Sequence, residues 1–190
     1  VGKALTQHSL VDKISFTGSV SVGSDVMSQA AKSITGVVLE LGGKSASIIL
    51  PETDLSAVMA SVHLRYLRNA GQGCASPTRI LIDRVRLEEF VELSRNFFDS
   101  VKVGDPKDID TICGPLISKG HRSRVEEYIA QALKSGGRIA AGGGRPGYEQ
   151  GWYMNPTLIA GVTNADEICR KELFGPVGVV LPYATVEEAI

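Results

Sequence analysis

One feature limits this chain more than any other: short β-branched and aliphatic runs alternate with longer stretches of helical period. The extended runs are "KISFT" (13–17), "VVLEL" (37–41), "SIIL" (47–50), "TRILI" (78–82) and "VGVVLPY" (177–183). Between them, apolar residues recur at three- and four-residue intervals over about 20–34, 54–68, 85–101 and 119–135. In the second of these, Leu55, Val58, Met59, Val62, Tyr66 and Leu67 form one stripe behind Asp54, a residue suited to an N-cap. Strand followed by helix, repeated, predicts an α/β chain with a mainly parallel sheet and flanking helices, because parallel neighbours need a long crossover that a helix supplies. "RIAA" and "WYMNPTLI" read as further extended segments. The glycine-rich "GGGRPGYEQG" (142–151) has neither the lysine nor the following helix of a phosphate loop and reads as a surface turn.

Composition excludes several function classes. Of 190 residues, 43% are hydrophobic and 22% charged, the balance of a globular domain rather than a disordered or fibrous chain. A net charge of −1 offers nucleic acid no basic surface, and no polybasic run addresses a membrane. The apolar runs are too short to span a bilayer, and residues 1–20 lack the apolar block and cleavage site of a signal peptide. Three cysteines make no disulfide framework and point to a reducing, cytoplasmic setting. Cysteines and histidines are too scattered for a metal site. The chain opens on Val1 and closes on "TVEEAI", the start of a helix with no far cap, so it reads as an internal piece of a longer protein, truncated at both ends.

Four stretches carry candidate chemistry. In "NAGQGCAS" (69–76), Cys74 sits among Gly71, Gly73 and Ala75, which leave room for another molecule to reach the sulfur. The bland alternative is a small buried hydrophobe, which is how Cys113 and Cys169 read. In "LELGGKSA" (39–46), Glu40 lies among Val37, Val38, Leu39 and Leu41. A carboxylate there is either expensive to bury and suited to a general base, or simply paired with a nearby Lys44. Gly42 and Gly43 permit a sharp turn or close approach of a ligand. In "FTGSVSVG" (16–23), Gly18 and Ser19 lie between a strand and a helix, where free N–H groups favour a phosphate; the alternative is a tight turn with Ser19 as N-cap. In "KELFGPV" (171–177), Glu172 and Phe174 flank a Gly-Pro bend. His63, on an apolar helix face, reads as packing.

Taken together and in this order, "FTGSVSVG", "LELGGKS", "NAGQGCAS" and "KELFGPV" resemble the aldehyde dehydrogenase superfamily, and "VGDPKD…CGPLIS" and "NPTLI" fit the same pattern. The 34 residues from Glu40 to Cys74 resemble the family's separation of general base and nucleophile, and the resemblance runs from Val1 to Ile190. It implies an aldehyde dehydrogenase-like fold, with residues 1–41 as the C-terminal part of the dinucleotide-binding domain and 42–190 as most of the catalytic domain. It implies NAD or NADP as cofactor and a small-molecule aldehyde as substrate, oxidised to a carboxylic acid. Cys74 takes the place of the catalytic thiolate and Glu40 that of the water-activating base. Gly18 and Ser19 match the pyrophosphate turn, Leu41 and Gly42 lie by the nicotinamide, Glu172 matches the glutamate on the nicotinamide ribose, and Phe174 the ring beside it. Lys44 and Asn69 are structural motif residues, and His121 and Arg124 fall near a cofactor-rim position. The full-length parent is expected to be a homodimer or homotetramer. The asparagine that completes the family's oxyanion hole and the adenosine cradle are not in these residues, so the isolated piece is expected to be inactive.

Three other readings compete. A coenzyme A-acylating dehydrogenase releases the acyl group to a thiol and has no need of Glu40. A cysteine hydrolase needs a histidine partner, and none stands in a comparable motif. A scaffold domain keeps the fold without the chemistry, and retention of both Glu40 and Cys74 speaks against it.

Overall fold

Strands form where the β-branched runs lie, and a contact boundary separates them into two groups. The computed structural model describes residues 1–190, which pack as two compact units, Val1–Gly43 and Lys44–Ile190. In the first, a short α1 (Gly2–Thr6) precedes β1 (Lys13–Gly18), α2 (Val20–Ala30) and β2 (Gly36–Leu41). The two strands pair in parallel, with Thr17 opposite Glu40 and Gly18 opposite Leu41. The helix expected over 20–34 stops at Ala30 and tightens into a 3-10 turn at Ala31–Ser33. Ile34 adopts φ 56°, and the Thr35 N–H reaches back to the Ala30 carbonyl at 3.1 Å, which satisfies an end carbonyl and turns the chain into β2. Gly23 lets that helix sit on the strand: a Cβ there would lie 2.6 Å from Leu41 Cδ2.

The second unit is built on five strands, β3 (Ala46–Ile49), β4 (Arg79–Asp83), β5 (Arg138–Gly142), β6 (Thr157–Ala160) and β7 (Val177–Tyr183). Their order is β3-β4-β7-β6-β5, and every pairing is parallel except β5 with β6. The mainly parallel α/β class therefore holds. Helix α3 (Leu55–Leu67) makes the crossover from β3 to β4, α4 (Leu87–Asp99) and α5 (Lys119–Lys134) lie between β4 and β5, the short α6 (Glu167–Arg170) lies in the crossover from β6 to β7, and α7 (Val186–Ala189) follows β7. Asp54 is the N-cap of α3, accepting from the Ala57 N–H at 3.3 Å, as its position suggested. "WYMNPTLI" is strand only from Thr157, since Pro156 has no N–H for a ladder and its carbonyl instead accepts from Gly143 at 2.8 Å. The segment 142–151 is the exposed turn expected, and this contact packs its start: a Cβ on Gly142 would lie 1.9 Å from the Pro156 oxygen.

Burial follows the sheet. All of β6 and five consecutive residues of β7, Val177–Leu181, are buried, the continuous apolar signature of interior parallel strands. Against them pack Leu55, Tyr66 and Leu67 of α3 and Phe90 and Val91 of α4. Gly178 on β7 makes room for the Tyr66 ring, which would lie 2.7 Å from a Cβ at that position. His63 is fully buried, as the packing reading expected, in a complete relay. The Tyr66 hydroxyl stands 2.8 Å from Nδ1, Nε2 stands 2.9 Å from Ser94 Oγ, and that hydroxyl donates to the Phe90 carbonyl at 2.7 Å. Because the Ser94 proton is used on Phe90, Nε2–H of His63 donates and Nδ1 accepts from Tyr66. Burial holds the imidazole down to about 3, so it is neutral.

Candidate active-site loops

In the first unit, paired strands bring the candidates to one edge. Gly18 ends β1 and Ser19 follows it, and Glu40 and Leu41 end β2 beside them with Gly42 next, Gly18 standing opposite Leu41. Ser19 is the N-cap of α2, its Oγ accepting from the Val22 N–H at 3.4 Å, and no acidic residue occupies the helix's first turn. The positive end of an 11-residue helix thus opens beside this edge. Glu40 departs from one expectation. It is exposed, because side chains alternate along β2: Val37, Leu39 and Leu41 are partly buried on one face, and Glu40 lies on the other with Gly36 and Val38. Apolar neighbours in sequence are not neighbours in space on a strand.

In the second unit, three loops interlock around Cys74. Cys74 is exposed, whereas Cys113 and Cys169 are buried, with burial pushing their thiols up to about 12 and about 11. The chain reaches Cys74 through three successive left-handed residues, Asn69 (φ 53°), Ala70 (φ 52°) and Gly71 (φ 72°). Such a run is costly for Asn and Ala, so surrounding contacts must hold it. The Asn69 side-chain amide donates to the Gln72 carbonyl at 2.9 Å, and the Gln72 amide returns a bond to the Asn69 carbonyl at 3.0 Å. Gln72 also reaches across to 115–117, donating to the Pro115 carbonyl at 3.4 Å and accepting from the Ile117 N–H at 3.0 Å. Gly71 lies directly on the backbone of the other motif: a Cβ on it would sit 2.0 Å from the Gly175 oxygen. The "NAGQGCAS" and "KELFGPV" loops are therefore one packed assembly.

The second of those loops carries Glu172 and Phe174. Phe174 is half-exposed and left-handed at φ 59°. Glu172 is partly buried, and its Oε1 is buried with no hydrogen-bond partner, an acceptor in want of a donor. Lys44 lies in the same surroundings. Burial pulls its ammonium down to about 8, Cys169 and Glu172 pull it up, and Arg79 pushes it down. Arg79 in turn donates from Nε to the Lys44 carbonyl at 2.9 Å, fixing the backbone there. The pairing of Gln72 with 115–117 and the Lys44–Arg79 link were missed in the sequence; a polar side chain flanked by glycines was the one hint of the former.

The chain matches the aldehyde dehydrogenase family over residues 1–190. It is 40% identical to geranial dehydrogenase of Castellaniella defragrans, over 100% of this chain and 40% of that protein. Among solved structures, an aldehyde dehydrogenase of Mycobacterium tuberculosis complexed with NAD+ superposes with a TM-score of 0.95 at 45% identity, covering 99% of this chain and 39% of that one. A mutant of aldehyde dehydrogenase C from Pseudomonas syringae, complexed with NAD+ and octanal, gives a TM-score of 0.95 at 37% identity, covering 99% and 39%. The chain spans about 40% of the length of these relatives.

Proposed function

The chain belongs to the aldehyde dehydrogenase family, and from that premise we propose that the full-length protein oxidises a small-molecule aldehyde to its carboxylic acid with NAD+ or NADP+ through a covalent intermediate on Cys74. The observation that carries this reading is Cys74 itself, the one exposed thiol of the chain, presented by a strained loop that many contacts hold. A thiol so placed is accessible to substrate, and a held loop is what pre-organised attack requires.

The residues present suit a nicotinamide dinucleotide. The unpartnered Glu172 Oε1 wants a hydroxyl donor such as a ribose supplies, and the α2 N-terminus behind Gly18 and Ser19 suits a pyrophosphate. Leu41 and Gly42 are assigned to the nicotinamide, with Phe174 beside the ribose. When bound, the cofactor supplies a hydride acceptor. Residues 1–41 then form the C-terminal part of the dinucleotide-binding domain and 42–190 most of the catalytic domain.

Cys74 as thiolate adds to the aldehyde carbonyl, forming a C–S bond and a tetrahedral oxyanion. The Cys74 backbone N–H stabilises that oxygen. As the C=O bond re-forms, hydride leaves the substrate carbon and a thioester remains on Cys74. Glu40 takes a proton from water, the water oxygen attacks the thioester, and the C–S bond breaks to release the acid and regenerate the thiolate. In this reading the full-length protein is a cytoplasmic homodimer or homotetramer, and residues 1–190 alone do not turn over, since they cover about 40% of the active relatives' length.

Pre-steady-state kinetics on the full-length protein test the scheme. Cys74→Ala should form no reduced cofactor even in the first turnover. Glu40→Gln should keep a first-turnover burst and then slow by roughly 10²- to 10⁴-fold, the usual worth of a general base. Cofactor reduction by Cys74→Ala at the unsubstituted rate would overturn the thiol mechanism. A Glu40→Gln enzyme with unchanged steady-state turnover would remove Glu40 from its role.

A further inference from the structure

The segment after "CGPLIS" turns into α5 at Ser118, whose Oγ accepts from the His121 N–H at 3.1 Å. His121 is thereby fixed at the third position of the helix, with its ring free to reach outward. Its Nε2 stands 2.6 Å from the Phe174 carbonyl oxygen, 53 residues on in sequence. On the other side of the ring, a terminal guanidinium nitrogen of Arg124 stands 3.1 Å from Nδ1. A guanidinium has only donors, so Nδ1 must accept. The proton of the neutral ring then lies on Nε2, which donates to Phe174.

That carbonyl belongs to a residue in a left-handed conformation, φ 59°, which costs a bulky L-residue about 1–2 kcal/mol. Gly71 supports the next peptide from one side and Val125 of α5 packs against Gly175, where a Cβ would lie 3.1 Å from Val125 Cγ2. Neither contact offers the Phe174 carbonyl a hydrogen bond. His121 does.

We propose that His121, set as the Nε2–H tautomer by Arg124, is a positioning residue that holds Phe174 in its left-handed conformation and so aims the Glu172–Phe174 edge toward the cofactor. This rests on the dehydrogenase reading for its consequence, though not for its geometry. Through Ile117 and Gln72 the same helix start is tied to the Cys74 loop, so the clamp joins the cofactor-facing loop to the nucleophile loop.

Two variants of the full-length protein separate a positioning role from packing. His121→Ala removes the donor. His121→Gln keeps an amide N–H for Phe174 and an oxygen for Arg124. The alanine variant should raise the KM for NAD+ about fivefold, the worth of one hydrogen bond, with the aldehyde KM and the alkylation rate of Cys74 without cofactor unchanged. The glutamine variant should return to within about twofold of the unsubstituted protein on the same scale. A crystal structure of the alanine variant should show Phe174 out of the left-handed region. Unchanged NAD+ KM in the alanine variant, glutamine no better than alanine, or Phe174 still at positive φ would each overturn the proposal. If His121→Ala does not fold, Arg124→Met frees the tautomer and should weaken NAD+ by about two- to fivefold, with no change overturning the proposal equally. Should the unsubstituted protein reduce no cofactor, the dehydrogenase reading fails, and the Phe174 backbone in the alanine variant still decides the clamp.

Discussion

The two units place their candidate residues by different means. In Val1–Gly43 only Gly23, Val26 and Ala30 are buried. Gly18, Ser19, Glu40, Leu41 and Gly42 stand where they do because two strands end and a helix begins, which is local chemistry. In Lys44–Ile190 a large apolar core underlies the sheet, and the left-handed Asn69, Ala70 and Gly71 ahead of Cys74, and Phe174, are held by contacts that include segments far away in sequence. The first unit has one such residue, the exposed Ile34 at φ 56°, in the turn between α2 and β2 and outside its candidate residues.

Three measurements would break or sharpen that contrast. The largest effect is expected from the core. Phe90, fully buried beside His63, should cost about 3–5 kcal/mol when cut to Ala. Val38 on β2 is 41% exposed, and Val38→Ala should stay within about 0.5 kcal/mol. Denaturant midpoints at unchanged slope decide it, and equal costs would abolish the contrast. Next comes a pair of glycines. Gly71→Ala places a methyl 2.0 Å from the Gly175 oxygen at φ 72°, and should cost about 2–4 kcal/mol while altering the labelling rate of Cys74. Gly36→Ala meets nothing within 4 Å and should be neutral or slightly stabilising. A tolerated Gly71→Ala would mean the two loops are not locked together.

The last measurement concerns pH, where the effect is absent at neutrality and grows with acidity. His63 titrates at its ordinary 6.5 when unfolded and is held down to about 3 by burial when folded. Between those values the unfolded chain binds the extra proton, so stability is intact above 6.5 and declines as pH falls toward 3. The slope contributed is at most about 1.4 kcal/mol per pH unit. His63→Leu, less stable at neutral pH because Tyr66 and Ser94 lose their partner, should lack that part of the slope. Melting temperatures of both proteins at pH 7, 5.5 and 4 on an arbitrary common buffer scale give the difference, and parallel curves would place the acid sensitivity elsewhere.

Much of the fold was legible because strand and helix periods are local properties. "VGVVLPY" became β7 residue for residue, and Asp54 capped its helix as its position suggested. The failures are equally physical. Glu40 was read among apolar neighbours, yet a strand turns successive side chains to opposite faces, so it emerged exposed. "GGGRPGYEQG" is the mostly exposed surface turn its sequence suggested, but nothing local shows that the Pro156 carbonyl accepts from Gly143. For the candidate site, the thiol and the motif glycines were visible, since small residues around a cysteine are a local signal. The bonds that hold them were not. Gln72 to 115–117 and His121 to Phe174 span 43 to 53 residues, and no spacing rule reaches that far.

By itself the sequence determined the α/β class, the strand and helix cores, and which thiol stands among small residues, because those follow from side-chain period, volume and capping chemistry. Cys113 and Cys169 are sealed in and Cys74 is open, as their settings in the sequence suggested, whereas tertiary structure alone decided that Gly71 rests on Gly175 and that a histidine ring bonds the Phe174 carbonyl. Those outcomes depend on which segments the core brings within hydrogen-bonding distance, and a distance across the sheet is fixed only when the whole unit packs.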